Sequence, residues 1–241
     1  MSDTGHGHDS PGHHHRDVSG GRERAAVFGV SDGLVSNVSL ILGVAGADPA
    51  PDFVRLAGLA GLVAGAASMA AGEYISVRAQ SELFERELAL ERVAHRRDPG
   101  KEIDELTKIY ESRGISPETA REVASDVMRD PEVALATHAR EELGMDPGAV
   151  GRPVAAASWS FLSFSVGALV PLVPWLITSG GVAVVASITA AAVAALAVGL
   201  VLARLTERPP ARVALRQLLF AAVPASVTWT IGSIIGVSSG G

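Results

Sequence analysis

Two acidic side chains and one methionine lie inside long apolar stretches of this sequence. Asp32 is the only charged residue of the run 25–47, and Met69 and Glu73 stand four residues apart in the run 53–78. A carboxylate inside a segment that could cross a bilayer is costly to bury, so it marks a functional site by default. A hard carboxylate oxygen beside a soft thioether sulfur favours a transition-metal ion over Mg²⁺ or Ca²⁺. The alternatives are a helix-packing hydrogen bond for Asp32 and plain packing for Met69.

Asp32 and Met69 can lie at one depth of a membrane. Asp32 stands about 10 Å into the first run at the helical rise, and Met69 about 12 Å before the end of the second. Adjacent antiparallel helices would bring the two side chains to one level, with Glu73 one turn nearer the cytoplasm and Asn37 adding a neutral oxygen. We predict a metal path along these four residues. A carboxylate there could hold either a metal ion or a proton, which allows the two to exchange.

A second group of candidate ligands lies in the charged segment 79–150. Side chains three or four residues apart share a helix face, and the segment offers three such pairs. These pairs are Glu87 with Glu91, Glu102 with Glu105, and His138 with Glu142. Converging faces would form a carboxylate-rich site with one imidazole, suited to Fe²⁺, Mn²⁺ or Zn²⁺. The alternative is an ordinary charged helix surface, because several arginines are available as partners.

Long apolar segments must position these residues. The chain of 241 residues is 48% hydrophobic and only 19% charged, has a mean hydropathy of +0.30, and lacks any charge between 153 and 203. Five runs are long enough to span a bilayer as helices: 25–47, 53–78, 153–177, 181–204 and 211–236. The sequence therefore predicts an all-α membrane protein with five transmembrane helices and a cytoplasmic helical insert between helices 2 and 3. The absence of cysteine excludes disulfides and thiolate metal sites.

These features divide the chain into four parts. Residues 1–24 form a polar, Gly/His-rich tail that we predict to be disordered, either a weak metal collector or a solvated segment. Residues 25–78 hold helices 1 and 2, 79–150 the metal-binding insert, and 151–241 helices 3 to 5. Within the insert, Asp98-Pro99-Gly100 is predicted to break the charged extension of the second span, and a helix follows from Lys101 to Arg113. Ser116-Pro117 and Asp130-Pro131 predict the starts of two more helices.

The positive charges predict the orientation of the chain. Lys and Arg cluster before span one, after span two, before span three and between spans four and five, whereas the other links have almost none. This alternation places the N-terminus and the insert in the cytoplasm and the C-terminus outside. The Ala/Arg/Val-rich composition suggests a bacterial plasma membrane, and the net charge of −6 argues against a nucleic-acid partner.

Several motifs resemble the vacuolar iron transporter family, and on this resemblance the chain is identified as a bacterial-type member. The motifs are SDGLVSN at 31–37, AGAASMAAGEY at 64–74, the glutamate-rich run 82–105, REELG at 140–144 and GALVPLVP at 167–174. The resemblance implies a homodimer of five-span protomers that exports Fe²⁺ or Mn²⁺ from the cytoplasm by proton antiport at the dimer interface. It makes Asp32 and Met69 translocation ligands. It assigns metal gathering to Glu91, Glu102, Glu105 and Glu142.

The sequence departs from the family pattern in two places. The family carries a pore glutamate two turns before the methionine of span two, where this chain has Gly61. A methionine pair can precede the last insert glutamate, where this chain has His138 and Ala139. The second change makes the insert site harder, which favours Mn²⁺ or Fe²⁺ without strong discrimination between them.

Two function classes follow from these residues. The first is a metal/proton antiporter that is not an enzyme, with no prosthetic group, whose partners are lipid, a second copy, protons and Fe²⁺ or Mn²⁺, with Zn²⁺ as a further ion. The second is a membrane-anchored, ferritin-like di-metal protein that oxidises or stores iron. The Glu-x-x-His motif of such proteins is absent, because Arg92 and Leu135 stand three residues before His95 and His138. A passive channel is a third, weaker option.

Overall fold

A computed structural model describes residues 21–146 and 151–239, and these residues form eight α-helices and no strand. The predicted all-α fold is confirmed. The first helix begins four residues before the predicted start, and the remainder of the His-rich tail, residues 1–20, lies outside the described residues. The helices are α1 (Gly21–Gly46), α2 (Pro51–Arg97), α3 (Pro99–Ser112), α4 (Pro117–Val127), α5 (Pro131–Glu141), α6 (Pro153–Ile177), α7 (Gly180–Thr206) and α8 (Pro210–Ser239).

Five of these helices, α1, α2, α6, α7 and α8, are long and apolar enough to cross a membrane. This confirms the five predicted spans, and the chain is an integral membrane protein. Many large apolar side chains stay exposed on the outer faces of these helices, among them Leu56 and Val63 on α2 and Val182 on α7. Such faces suit lipid tails, which solvate apolar side chains at no hydrophobic cost. The orientation of the chain in the membrane stays a prediction.

Helix α1 is the centre of the membrane bundle and packs against each of the other four long helices. Leu34 and Ile41 on this helix are fully buried. Val38 and Leu42 join a core with small residues of α7 and α8, such as Ala195. The predicted transport residue Asp32 therefore lies on the helix that contacts all four other long helices.

Glycines allow α1 and α6 to approach closely. A Cβ added at Gly33 would overlap the carbonyl oxygen of Phe164, and one added at Gly167 would overlap the carbonyl oxygen of Val30. Both obstructions are backbone atoms, which cannot rotate away as a side chain can. Membrane helices commonly pack through small residues at their crossings. Lipid tails are as apolar as the helices, so association depends on close van der Waals contact and not on the hydrophobic effect.

We expect Gly33→Ala to lower the unfolding midpoint of the detergent-solubilised protein. The added methyl must push α1 away from α6, and overpacking of this kind costs about 1–3 kcal/mol. Gly181→Ala is the matched control, because nothing lies within 4 Å of a Cβ at that position. Thermal melts followed by tryptophan fluorescence should place the control near the unsubstituted protein. Equal midpoints for the two variants would contradict the close packing of α1 on α6.

The insert consists of the charged end of α2 and the three short helices α3, α4 and α5. The side chain of Asp98 accepts a hydrogen bond from the Lys101 backbone N–H at 3.1 Å and so caps α3. Ser116 and Asp130 cap α4 and α5 in the same way, and each of the three helices has proline in its first turn. The starts predicted for α4 and α5 are confirmed, whereas α3 begins at Pro99, two residues before the predicted Lys101, because Asp98 acts as its N-cap. Helices α3 and α5 contact each other, and both contact α2, so α2, α3 and α5 meet at the charged end of α2.

Arg55 connects the beginning of α2 to the end of α6. Its Nε donates to the carbonyl oxygen of Trp175 at 2.7 Å, and its Nη1 lies 2.8 Å from a carboxylate oxygen of Asp52. Carbonyls at the end of a helix have no partner within it, so an arginine there satisfies them. Arg55 therefore stabilises the contact between the first turn of α2 and the last turn of α6.

Candidate functional site

A cavity of about 330 Å³ lies between α1, α2 and α6 within the membrane bundle. It brings together three of the four residues predicted to form the transport path. The residues that line it include Asp32, Ser36, Asn37, Gly61, Ser68 and Met69. Glu73, the fourth predicted residue, lies on α2 one turn beyond Met69 and does not line this cavity.

Asp32 is half-buried, and the Ser36 hydroxyl donates to its Oδ1 at 3.2 Å. Among the described residues that line the cavity, Asp32 is the only acidic one. Met69 is also half-buried and packs beside Phe164 and Ala168. A hard carboxylate and a soft thioether therefore face one space, as the sequence predicted. This donor pair suits a divalent transition-metal ion.

Asn37 is almost completely buried, with 1% of its surface exposed. Its Nδ2 donates to the carbonyl oxygen of Ala168 on α6 at 2.7 Å. Its Oδ1 finds no hydrogen-bond partner within the described part of the chain. A Cβ added at Gly61 would lie 2.8 Å from this oxygen and would overlap the end of Leu40. The absence of a side chain at Gly61 thus leaves room for the amide oxygen at the cavity wall.

A second site lies in the insert, where four side chains from three helices meet. Glu91 and His95 come from α2, Glu102 from α3 and His138 from α5, and one potential ligand atom from each lies within 4.8 Å of the others. The side chains of Glu102 and His138 are 4% and 0% exposed, and those of Glu91 and His95 are 14% and 10% exposed. The faces of the insert helices converge, and the cluster holds three of the predicted ligands, Glu91, Glu102 and His138, together with His95.

The hydrogen bonds of this cluster leave its inner atoms free. His138 Nδ1 donates to the Ala134 carbonyl oxygen at 3.0 Å, so the lone pair of Nε2 faces inward, 3.9 Å from a carboxylate oxygen of Glu102. Backbone anchoring of one ring nitrogen is how metal-ligating histidines are held. His95 Nε2 lies 3.0 Å from Glu91 Oε1, but neither atom makes an aligned hydrogen bond. Buried polar atoms without hydrogen-bond partners are rare in proteins, and a bound ion would account for these atoms.

Electrostatics point to a cation at this cluster. Burial raises the pKa of Glu91, and the neighbouring carboxylates Glu142 and Glu105 raise it further. Burial, with the charge of Glu91, also raises the pKa of Glu102. The pKa of His95 is lowered by burial and by His138. Two buried carboxylates beside two imidazoles, of which His95 has a lowered pKa, form a donor set suited to a divalent ion. Two nitrogens and two oxygens suit Fe²⁺, Mn²⁺ or Zn²⁺.

The other predicted insert ligands lie outside the close group. Glu87 lies 3.8 Å from Arg86 and Glu105 is paired at 3.0 Å with Lys101, whereas Glu142 is exposed at the end of α5. His95 was not among the predicted ligands. Its signal was available, because it follows Glu91 by four residues on one helix and so shares its face.

The sequence was compared with known proteins. Residues 23–233 match a protein family described as the VIT family. The chain is 30% identical over 227 residues to vacuolar iron transporter 1 of Oryza sativa subsp. japonica, a match that covers 92% of this chain and 90% of the relative. It is 40% identical over 149 residues to a vacuolar iron transporter of Acanthamoeba castellanii, covering 62% of this chain and 53% of the relative.

A third relative matches a shorter stretch. Vacuolar iron transporter homolog 1 of Oryza sativa subsp. japonica is 47% identical over 83 residues, which is 34% of this chain and 36% of the relative. The resemblance inferred from the motifs is confirmed by these matches. The relatives are named as transporters, in agreement with the prediction that the chain is not an enzyme.

Proposed function

Because this chain belongs to the VIT family, we propose that it transports a divalent transition-metal ion, Fe²⁺ or Mn²⁺, across a membrane. The observation that supports this most is the membrane cavity, where Asp32 and Met69 face one space between three helices. The names of the relatives favour iron as the cargo. The direction is export from the cytoplasm, in exchange for protons.

The proposed orientation puts the insert in the cytoplasm, where it first captures the ion. The N-terminus lies on the same side and the C-terminus on the outside of a bacterial plasma membrane, following the distribution of Lys and Arg. The insert cluster and the cavity are joined by a single helix, α2, that carries both Met69 and Glu91. An ion gathered by the insert would therefore be released near the inner end of the path.

Exchange with protons follows from the single acidic group of the cavity. When the ion leaves, Asp32 would be an uncompensated charge in a low-dielectric space, and binding a proton removes that cost. The half-buried position and the Ser36 hydrogen bond keep this carboxylate within reach of water. The ion and the proton would thus compete for one group and move in opposite directions.

A second copy of the chain would complete the path. Phe28 and Leu40 line the cavity yet are 63% and 39% exposed, so apolar side chains surround its open side. An ion path open to lipid would leave the ion without polar surroundings. We propose that a homodimer closes this opening, with α1 and α2 of both copies at the interface.

Proteoliposomes test this function. In vesicles with an acidic interior, Fe²⁺ or Mn²⁺ uptake should be at least about tenfold faster than in vesicles without a proton gradient. The reason is that each metal ion that enters is coupled to the exit of protons. The measurement is uptake of ⁵⁵Fe²⁺ or ⁵⁴Mn²⁺, with protein-free vesicles as the control. Flux that ignores the gradient would indicate a channel instead, and no flux of either ion would reject transport.

The alternative of a ferritin-like di-metal protein makes a different demand on the insert. Two metal ions need more donors than the four ligand atoms that lie within 4.8 Å of one another in the cluster. Four donors suit one ion. We therefore favour a site that holds a single ion on its way to the path. Iron-dependent O₂ consumption by the purified protein would favour the alternative.

A further inference from the structure

The orientation of the Asn37 side chain is fixed by its neighbour on α6. The Ala168 carbonyl oxygen can only accept a hydrogen bond, so the group 2.7 Å from it must be the amide NH₂ of Asn37. The oxygen of the amide therefore points the other way. It is buried, belongs to a residue that lines the cavity, and has no hydrogen-bond partner among residues 21–146 and 151–239. A membrane protein leaves a carbonyl in this state only at a cost.

Gly61 is matched to this oxygen. A Cβ at position 61 would stand 2.8 Å from Asn37 Oδ1, closer than a carbon and an oxygen normally come. A weak Cα–H contact from Gly61 can offset part of the missing hydrogen bond, but such contacts are second-order. The bond from Nδ2 to Ala168 explains why an amide is useful for holding α1 against α6. It does not explain why the oxygen is kept free at the cavity.

We propose that Asn37 Oδ1 is a neutral metal ligand of the membrane cavity and sets its preference among divalent ions. This inference rests on the proposed transport function. With Asp32 and Met69 it gives one charged oxygen, one neutral oxygen and one thioether. Hard ions such as Ca²⁺ and Mg²⁺ require more oxygen ligands and more negative charge than this set supplies. Fe²⁺ tolerates the softer, less charged set better than Mn²⁺ does.

The test compares uptake of Fe²⁺ and Mn²⁺ in proteoliposomes with equal gradients. Asn37→Asp exchanges the neutral oxygen for a charged one, and we expect the Fe²⁺/Mn²⁺ ratio of kcat/KM to fall about tenfold, with Ca²⁺ becoming an effective inhibitor. Gly61→Ala places a methyl group 2.8 Å from the Asn37 oxygen and against Leu40, so that the amide oxygen must shift, and it should raise the KM for Fe²⁺ by about tenfold. The second variant keeps the test decisive where Asn37→Asp does not fold.

Ser187→Ala is the matched control. Ser187 is fully buried and donates across helices to the carbonyl oxygen of Pro171, but it does not line the cavity. Loss of its hydrogen bond should lower stability without changing the Fe²⁺/Mn²⁺ ratio. An unchanged ratio and unchanged KM in folded Asn37 and Gly61 variants, with normal flux in the unsubstituted protein, would overturn this inference alone. Absence of flux in the unsubstituted protein would overturn the transport function as well.

Discussion

Asp32→Ala is expected to reduce gradient-driven Fe²⁺ uptake to the level of protein-free vesicles. Asp32 is the only acidic side chain among the described residues that line the cavity, so its removal leaves a divalent ion there without a counter-charge. An uncompensated charge at the membrane centre costs at least about 2.5–3.5 kcal/mol. A barrier raised by about 2.7 kcal/mol slows transport about 100-fold, which lies below the background of a vesicle assay.

Two companion variants define what this loss means. Asp48→Asn removes an exposed carboxylate from the link between α1 and α2, at a position of positive φ that asparagine tolerates, and should transport normally. Asp32→Asn keeps the size of the side chain and should be as inactive as Asp32→Ala. Uptake above one-tenth of the normal rate in a correctly folded Asp32→Ala protein would place the ion path elsewhere.

His138→Ala is expected to weaken metal binding by the insert by about 100-fold or more. The loss removes one of four donors, and even the partners of metal ligands are worth about 10–100-fold in affinity. Its Nε2 is buried and faces Glu102, so no water-exposed group can replace it. Calorimetric titration of Mn²⁺ and Zn²⁺ into the full chain, in an Asp32→Ala background that silences the cavity, measures this site alone.

Other variants separate the cluster from the charged surface around it. His95→Ala should cost nearly as much affinity as His138→Ala, because both imidazoles belong to the close group. Glu118→Ala, an exposed acid on α4, should leave binding unchanged. Metal at about 100 times its dissociation constant should stabilise the folded protein by about 2.7 kcal/mol, and the same concentration should stabilise His138→Ala by only about 0.4 kcal/mol or less. Equal binding by His138→Ala and Glu118→Ala would reject the cluster as a metal site.

The parts of the fold that depend on local sequence were predictable. Bilayer-length apolar runs predicted the five spans, and the motifs at Ser116 and Asp130 predicted the starts of α4 and α5, because hydropathy and capping act within a few residues. The pairing of Asp32 with Met69 was also predictable, since depth along a helix follows from the rise per residue. The cavity contains both side chains.

The features of the two sites that the sequence did not predict depend on how the helices pack against one another. His95 becomes a candidate ligand only because α3 and α5 fold back onto the end of α2, and no local pattern specifies which face of α2 they cover. The pairing of Glu87 with Glu91 was an equally valid i,i+4 match in the sequence. Likewise, the role of Gly61 as the neighbour of the Asn37 oxygen is visible only when α1 and α2 are placed side by side.

The unbroken course of α2 has a mechanical consequence. Met69 and Glu91 lie about 33 Å apart along this helix and just over six turns, so their side chains project from nearly the same side. A tilt of only about 2° about the level of Met69 moves Glu91 by about 1 Å, several times the tolerance of a metal–ligand bond. An ion clamped between α2, α3 and α5 would therefore fix the tilt of the rod. Release of that ion would allow α2 to tilt again, and the tilt would change the width of the membrane cavity that α2 lines.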